Sequence, residues 1–216
     1  MRRAVRGWAV VAFLVVATGV GAQARPSLRV VLPPHDSLGS AGPWVAAREV
    51  LADRRLRELL DAGFPAQLRY RVELWSTGGW FNRQVAATEW SVVVRFDPLA
   101  REFEGVRVLG DSVVSLGRHK QFADMAAEVE RAWRPAIRPP RDDAPQYYNV
   151  TLTLEMLSVT DLDELQRWVR GDLRPAVRGQ RNPGTALGRG ARTLLSRLLG
   201  GERRTLDARS ESFVVR

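Results

Sequence analysis

The chain has 216 residues, a formal net charge of +9 and no cysteine, which excludes disulfides and thiolate metal sites. Its two histidines, His35 and His119, match no metal-ligand spacing, so a transition-metal centre is not expected. No motif predicts a cofactor. The basic charge would suit either nucleic acid or an anionic membrane surface, and the N-terminus decides between these two partners.

Residues 1–24 have the features of a secretory signal peptide. An arginine-containing start precedes the apolar run 8–21, and Ala22-Gln23-Ala24 matches the small-x-small pattern for cleavage before the next residue. The run is shorter than the roughly 20 apolar residues that span a bilayer, so cleavage is favoured over the alternative, an uncleaved N-terminal anchor. We therefore expect an exported protein of a bacterial periplasm or cell envelope, with no transmembrane span in the mature chain and no nucleic-acid partner.

The clearest structural unit is a short helix followed by an alternating strand, over residues 56–75. Asp53 is a suitable N-cap, and leucines at i, i+3 and i+4 form one apolar stripe, after which Gly63 and Pro65 end the helix. The period then changes to two, which predicts a strand of an antiparallel sheet with one buried face. The inward residues are Leu68, Tyr70, Val72 and Leu74, and the outward residues are Arg69, Arg71, Glu73 and Trp75.

This unit resembles a bacterial exported family known only as a domain of unknown function, number forty-three-ninety. The resemblance rests on Ala62-Gly63-Phe64-Pro65 before the strand, Val72-Glu73-Leu74-Trp75 at its end, Trp80 beyond it, and the later turn Phe96-Asp97-Pro98-Leu99. It covers residues 28–158. The family has no assigned activity, so the resemblance implies a fold and an exported location but no catalytic residue.

The rest of the chain predicts further strands and a few helices. Residues 25–216 form one β-rich α+β domain, an antiparallel sheet or sandwich with two to three flanking helices. Its parts are a core at 25–134, a Pro-rich connector at 135–147 and a closing part at 148–216. Within 102–109 the apolar parity changes between Phe103 and Val106, which predicts a bulge at Gly105. Strands are expected at 28–32, 47–51, 88–96, 102–109, 112–116, 148–156 and 205–215, and helices at 118–133, 160–170 and 187–199.

Two groups of residues are candidate contact sites. Trp75, Trp80 and Phe81 surround a Gly-Gly turn and could contact a partner, although a small aromatic cluster covered by the next loop or helix is the simpler explanation. Arg189, Arg192 and Arg197 lie on an amphipathic segment that could contact an anionic membrane surface, or could simply pack on the sheet. The expected partner is therefore an unknown envelope protein or an anionic membrane surface.

No catalytic motif of useful specificity is present, and His119 is expected to be an exposed residue at a helix start. The leading hypothesis is a non-catalytic binding or scaffolding module of the envelope. A carrier of an apolar ligand is the alternative, and a large cavity lined by Tyr70, Val72, Trp90 and Leu152 would favour it. A hydrolase that uses acidic residues comes third, and it would need a cleft with converging acids or histidines.

Overall fold

A computed structural model describes residues 25–78, 80–157 and 203–215. The signal peptide predicted at 1–24 and the helices predicted at 160–170 and 187–199 lie outside these residues. In chain order the elements are β1 (Ser27–Val31), a 3-10 helix (His35–Ser37), β2 (Trp44–Arg48), α1 (Arg54–Asp61), β3 (Ala66–Ser76), β4 (Arg83–Asp97), β5 (Glu102–Leu109), β6 (Ser112–His119), α2 (Phe122–Glu130), β7 (Asp142–Met156), β8 (Arg204–Arg209) and β9 (Phe213–Val215).

Helix α1 begins and ends at the residues that the sequence indicates. The backbone N–H of Leu56 donates to Asp53 Oδ1 at 3.0 Å, so Asp53 caps the helix as predicted. Gly63 has φ of +90°, a left-handed conformation that glycine adopts without a Cβ penalty. The apolar side of the helix is buried through Leu56 and Leu60.

Strand β3 is the centre of the main sheet. It pairs antiparallel with β4 on one side and β7 on the other, so that Tyr70 lies between Trp90 and Leu152. Its four predicted inward side chains are at most 4% exposed. The described strands of this sheet are in the order β6-β5-β4-β3-β7-β8, with β9 also paired to β7. The predicted β-rich α+β fold with an antiparallel sheet is therefore confirmed.

The inward face of the main sheet is covered by both helices and by a small sheet in which β1 pairs antiparallel with β2. Trp133, beyond α2, bonds to β2 through its backbone: its N–H donates to Val45 O, and Val45 N–H donates to Trp133 O, both at 2.8 Å. One apolar core joins these layers to the sheet, and its members include Val45, Leu60, Val92, Met125, Val129 and Leu152.

Several predicted boundaries differ from the structure because of pairing between distant segments. Strand β2 lies at 44–48 instead of 47–51, since it is fixed by β1 and Trp133. Helix α2 starts only at Phe122, because His119 is still paired with Phe103 across β5 and β6. The prediction of an exposed His119 at a helix start is wrong: the residue ends β6, is partly buried, and has Nε2 3.1 Å from Leu116 O.

Strand β7 also begins earlier than the sequence predicts. It starts at Asp142, inside the expected connector, because β9 pairs with it opposite Asp142 and Gln146. The predicted C-terminal strand is present in two pieces, β8 and β9. Phe213 and Val215 are buried, as expected for inward residues.

The bulge that was predicted in β5 lies on the neighbouring strand β6. The register shifts between Gly105 paired with Gly117 and Val106 paired with Ser115, so the extra residue is Leu116 on β6. Strand β5 itself alternates regularly. Gly105 faces Met125, whose Sδ would be 2.9 Å from a Cβ at that position, and the next inward residue is an arginine, Arg107.

Candidate binding sites

The exposed end of the β3–β4 hairpin contains two of the three aromatic residues predicted as a contact site. Trp80 is 97% exposed and Phe81 is 85% exposed, so a covered aromatic cluster is not what forms there. Trp75 is different. It lies half-buried on the outward face of β3, where its Nε1 donates to Glu73 Oε2 at 3.1 Å. The structure thus separates Trp75, on the sheet, from the exposed pair of aromatic residues at the hairpin end.

Bonds to β7 hold both sides of this hairpin end. The backbone N–H of Thr77 donates to Pro145 O at 2.8 Å, and its hydroxyl donates to the same oxygen at 2.9 Å. On the returning side, Asn82 Nδ2 donates to the Tyr147 hydroxyl at 3.4 Å. The two exposed aromatic side chains therefore lie between Thr77 and Asn82, which are both bonded to β7.

The second predicted group, Arg189, Arg192 and Arg197, lies outside the described residues. Among the residues that are described, no helix is long and apolar enough to cross a membrane. Within the same ranges, no group of three or more His, Asp or Glu side chains is arranged to hold a metal ion.

A pocket on the inward side of β4 and β5 was not predicted from the sequence. The volume open to the centre of a water molecule is about 10 Å³, which is room for about one water. Its walls come from the two sheets and from the end of α2. The lining residues are Val45, Ala47, Tyr70, Trp90, Val92, Arg107, Val129, Arg131 and Trp133.

Arg107 is the unusual residue of this pocket. It lies opposite Val92 on the core face of the sheet and is only 6% exposed. Its Cζ is 4.1 Å from the centre of the Trp133 ring, so the guanidinium packs against the indole. Within the described residues its Nε has no hydrogen-bond partner. Burial lowers the pKa of the guanidinium, but arginine remains a cation in proteins.

The aromatic walls of the pocket are held firmly. The rings of Tyr70 and Trp90 stack with centroids 4.7 Å apart and planes 4° apart. Burial raises the pKa of the Tyr70 hydroxyl, and the nearby Arg107 acts in the opposite direction. Trp133 is fixed by its two backbone bonds to Val45, and its buried Nε1 has no acceptor among the described residues.

The acidic residues near the pocket have other partners. Glu128 pairs with Arg131 at 2.9 Å. Glu130 Oε1 accepts from the Glu49 backbone N–H at 2.7 Å, and burial raises the pKa of that carboxyl despite this bond. Across the described ranges, no carboxylate lies within ion-pair distance of Arg107. The pocket therefore combines a buried cation with unused N–H donors.

Sequence reasoning missed this pocket because Val106 and Val108 look like the buried residues of β5. The signal that could have found it is the spacing of Phe103, Gly105 and Arg107, which share one face of an uninterrupted strand.

A scan against protein-family models and searches of curated proteins and of solved structures gave no match. The resemblance to the exported family thus stays a prediction.

Proposed function

We propose that the protein is a non-catalytic binding module of the bacterial envelope that contacts an anionic membrane surface through the end of its β3–β4 hairpin. The observation that carries the proposal is the exposure of Trp80 and Phe81 side by side. Aromatic side chains of this kind favour the interfacial region of a bilayer. The predicted signal peptide at 1–24 supports a location where such a surface is available.

An exposed arginine near the hairpin end supports the same partner, although the acids Asp142 and Asp143 begin the adjacent strand β7. Arg83 is exposed two residues after Phe81, and without the three arginines of the predicted signal peptide the chain keeps a net charge of 9 − 3 = +6. Each basic residue close to an anionic leaflet contributes about 1 kcal/mol of attraction. Apolar insertion by the two rings and attraction by arginine would therefore act together.

Two observations make the other functions less well supported. A carrier would need a large cavity, whereas the pocket beside Tyr70 and Trp90 has room for about one water, and Val72 and Leu152 are packed at no more than 1% exposure. For a hydrolase, the acids Asp142 and Asp143 lie at the start of β7, where Asp142 Oδ1 accepts from the Ala144 backbone N–H at 3.1 Å. This local turn gives Asp142 a structural role.

Vesicle binding tests the proposal. The purified protein should co-sediment with vesicles containing phosphatidylglycerol and should bind phosphatidylcholine vesicles weakly. The double variant Trp80→Ser/Phe81→Ser should lose at least tenfold in affinity, because two large apolar side chains no longer enter the interface. Its unfolding free energy should change by less than about 0.5 kcal/mol, since both side chains are exposed.

Leu99→Ser is the matched control. Leu99 is 96% exposed in the turn after β4, at the end of that strand opposite to the hairpin end. This change removes an equally exposed apolar residue and should leave vesicle binding intact. Equal binding by the double variant and the wild type would refute the proposal. Binding to an envelope protein in the absence of lipid, lost in the double variant, would replace the membrane with a protein partner.

A further inference from the structure

A buried arginine without a counter-ion is rare because the charge has lost much of its hydration. Removing a guanidinium from water costs several kcal/mol unless an anion and hydrogen bonds replace the water. Arg107 has lost nearly all of its exposure, and in the described part of the chain neither an ion pair nor a bond to its Nε replaces it. The packing of the guanidinium on Trp133 offsets only part of this cost.

The pocket supplies what an anion would need. Arg107 and Trp133 each line it, and each has a buried N–H donor with no acceptor among the described residues. Arg131 adds a second cation at the exposed rim. Water could fill the space, but it would leave the charge of Arg107 without a counter-ion.

The size and shape of the pocket limit the anion. The free volume of about 10 Å³ admits one oxygen-sized group at a time. A carboxylate can enter with one oxygen against the guanidinium, in a charge-assisted hydrogen bond, while its other oxygen stays at the rim. A phosphate could insert one oxygen in the same way, but it would leave three oxygens at the rim, where Arg131 is the one cation among the described lining residues, whereas a carboxylate leaves only one.

We propose that this pocket binds the carboxylate group of a small organic acid, with Arg107 as its counter-ion, Trp133 as a second hydrogen-bond donor and Arg131 at the entrance. The proposal is independent of membrane binding, since the pocket lies on the inward side of the sheet and the hairpin end is not part of it. It assigns the protein a small-molecule ligand in addition to a surface partner.

The test follows the Arg107 Nε–H resonance by ¹H–¹⁵N NMR, assigned by its loss in Arg107→Met. Titration of the purified protein with acetate and then benzoate should shift this resonance in a saturable manner. Inorganic phosphate and chloride at matched ionic strength should not do so. The same carboxylates should raise the melting temperature of the wild type.

Variants separate binding at the pocket from a general effect of charge. Arg107→Met should abolish the carboxylate-dependent rise in melting temperature. Arg29→Gln removes one positive charge from an exposed position of β1 and should retain that rise in full. Trp133→Phe keeps an aromatic ring but loses the indole N–H, and should weaken binding roughly 3- to 10-fold.

Each other result overturns the proposal. A resonance that does not respond, or that responds equally to phosphate, excludes a carboxylate site. Loss of the effect in Arg29→Gln would show that net charge, not the pocket, is responsible. If Arg107→Met does not fold, Trp133→Phe decides, and unchanged affinity in that variant contradicts the assigned donor.

Discussion

The two faces of the main sheet differ in whether their arginines have ion-pair partners. On the outward face each of several arginines lies within reach of a glutamate, whereas on the inward face the buried Arg107 has no such partner in the described ranges. An arginine in water gains little from a partner but costs little without one, while a buried one costs several kcal/mol when unpaired. The outward pairs are Arg69 with Glu155, Arg71 with Glu73 and Glu89, and Arg95 and Arg118 with Glu104.

Burial of a charged residue without an ion-pair partner therefore points to a functional role. A charged side chain on the outward face needs no special explanation, since solvent screens it. The same residue one strand away and facing inward lowers stability unless something binds it. Arg107 therefore identifies a site that the outward arginines, with their ion pairs, do not.

The largest effect is expected from adding volume beside Arg107. In Gly105→Val the new side chain meets Met125 Sδ at 2.9 Å and Leu116 Cβ at 3.2 Å, measured from the position of a Cβ. Overpacking of this kind should lower the free energy of unfolding by about 2 kcal/mol. The cost should not be larger, because the flexible Met125 side chain can move away from the new methyl groups. Urea denaturation measures it. Val106→Ile, at the neighbouring outward position, is the control and should change stability by less than about 0.5 kcal/mol.

The next effect compares one substitution on both faces. Arg107→Met should raise the free energy of unfolding by about 1 kcal/mol or more, because it removes an unpaired buried charge and keeps an apolar stem. Arg95→Met should lower it by at most about 1 kcal/mol, because it breaks a partly exposed pair with Glu104.

Urea denaturation in a buffer free of carboxylates and phosphate provides both values. Added salt should reduce the difference between Arg95→Met and the wild type, since an exposed pair is screened. A loss of stability in Arg107→Met under these conditions would mean that the guanidinium already has a stabilising partner, and the contrast between the faces would then fail.

The smallest effect concerns Asp53, a carboxylate with two partners at the edge of the core. Its pKa is lowered, first by the hydrogen bond from the Leu56 backbone N–H and then by Arg204, whose Nη2 lies 2.6 Å from Oδ2. Asp53→Ala should cost about 1 kcal/mol at pH 7. A lowered pKa contributes stability above the ordinary value of 3.8, and that contribution is lost as the pH falls through the folded value.

The difference between Asp53→Ala and the wild type should therefore shrink between pH 5 and pH 2. Unfolding free energies from urea titrations across that range measure it. Asp53→Ser retains a cap oxygen but not the bond to Arg204, and should recover most of the loss. A difference that stays constant with pH would show that the charge of Asp53 contributes nothing.

Local patterns allowed the sequence to predict the part of the fold that depends on near neighbours. The cap at Asp53, the stop at Gly63 and the alternation of β3 are all determined within a few residues. The start of β7 was missed because its partner, β9, comes about 70 residues later, and no local pattern records that pairing.

The two candidate sites also differ in how far they depend on residues close in sequence. The aromatic residues at the hairpin end could be named from the sequence, because a Gly-Gly turn marks them, but their exposure depended on what the rest of the chain covers. The spacing of Phe103, Gly105 and Arg107 could have placed Arg107 on the inward face, but the residues that surround it come from β2, α2 and Trp133, which are distant in sequence. The parity change in β5 was visible, but it was attributed to a bulge that lies on β6.

The position of β3 at the centre of the sheet has a consequence for folding kinetics. One of its edges pairs with β4, which follows directly in the chain. The other edge pairs with β7, which comes much later and places Ala66 opposite Met156 and Ser76 opposite Gln146. Such long-range pairing slows folding. Until β7 has been synthesised, an 11-residue strand has an open edge that other chains can join. A chaperone that covers this edge would protect the unfinished chain from aggregation.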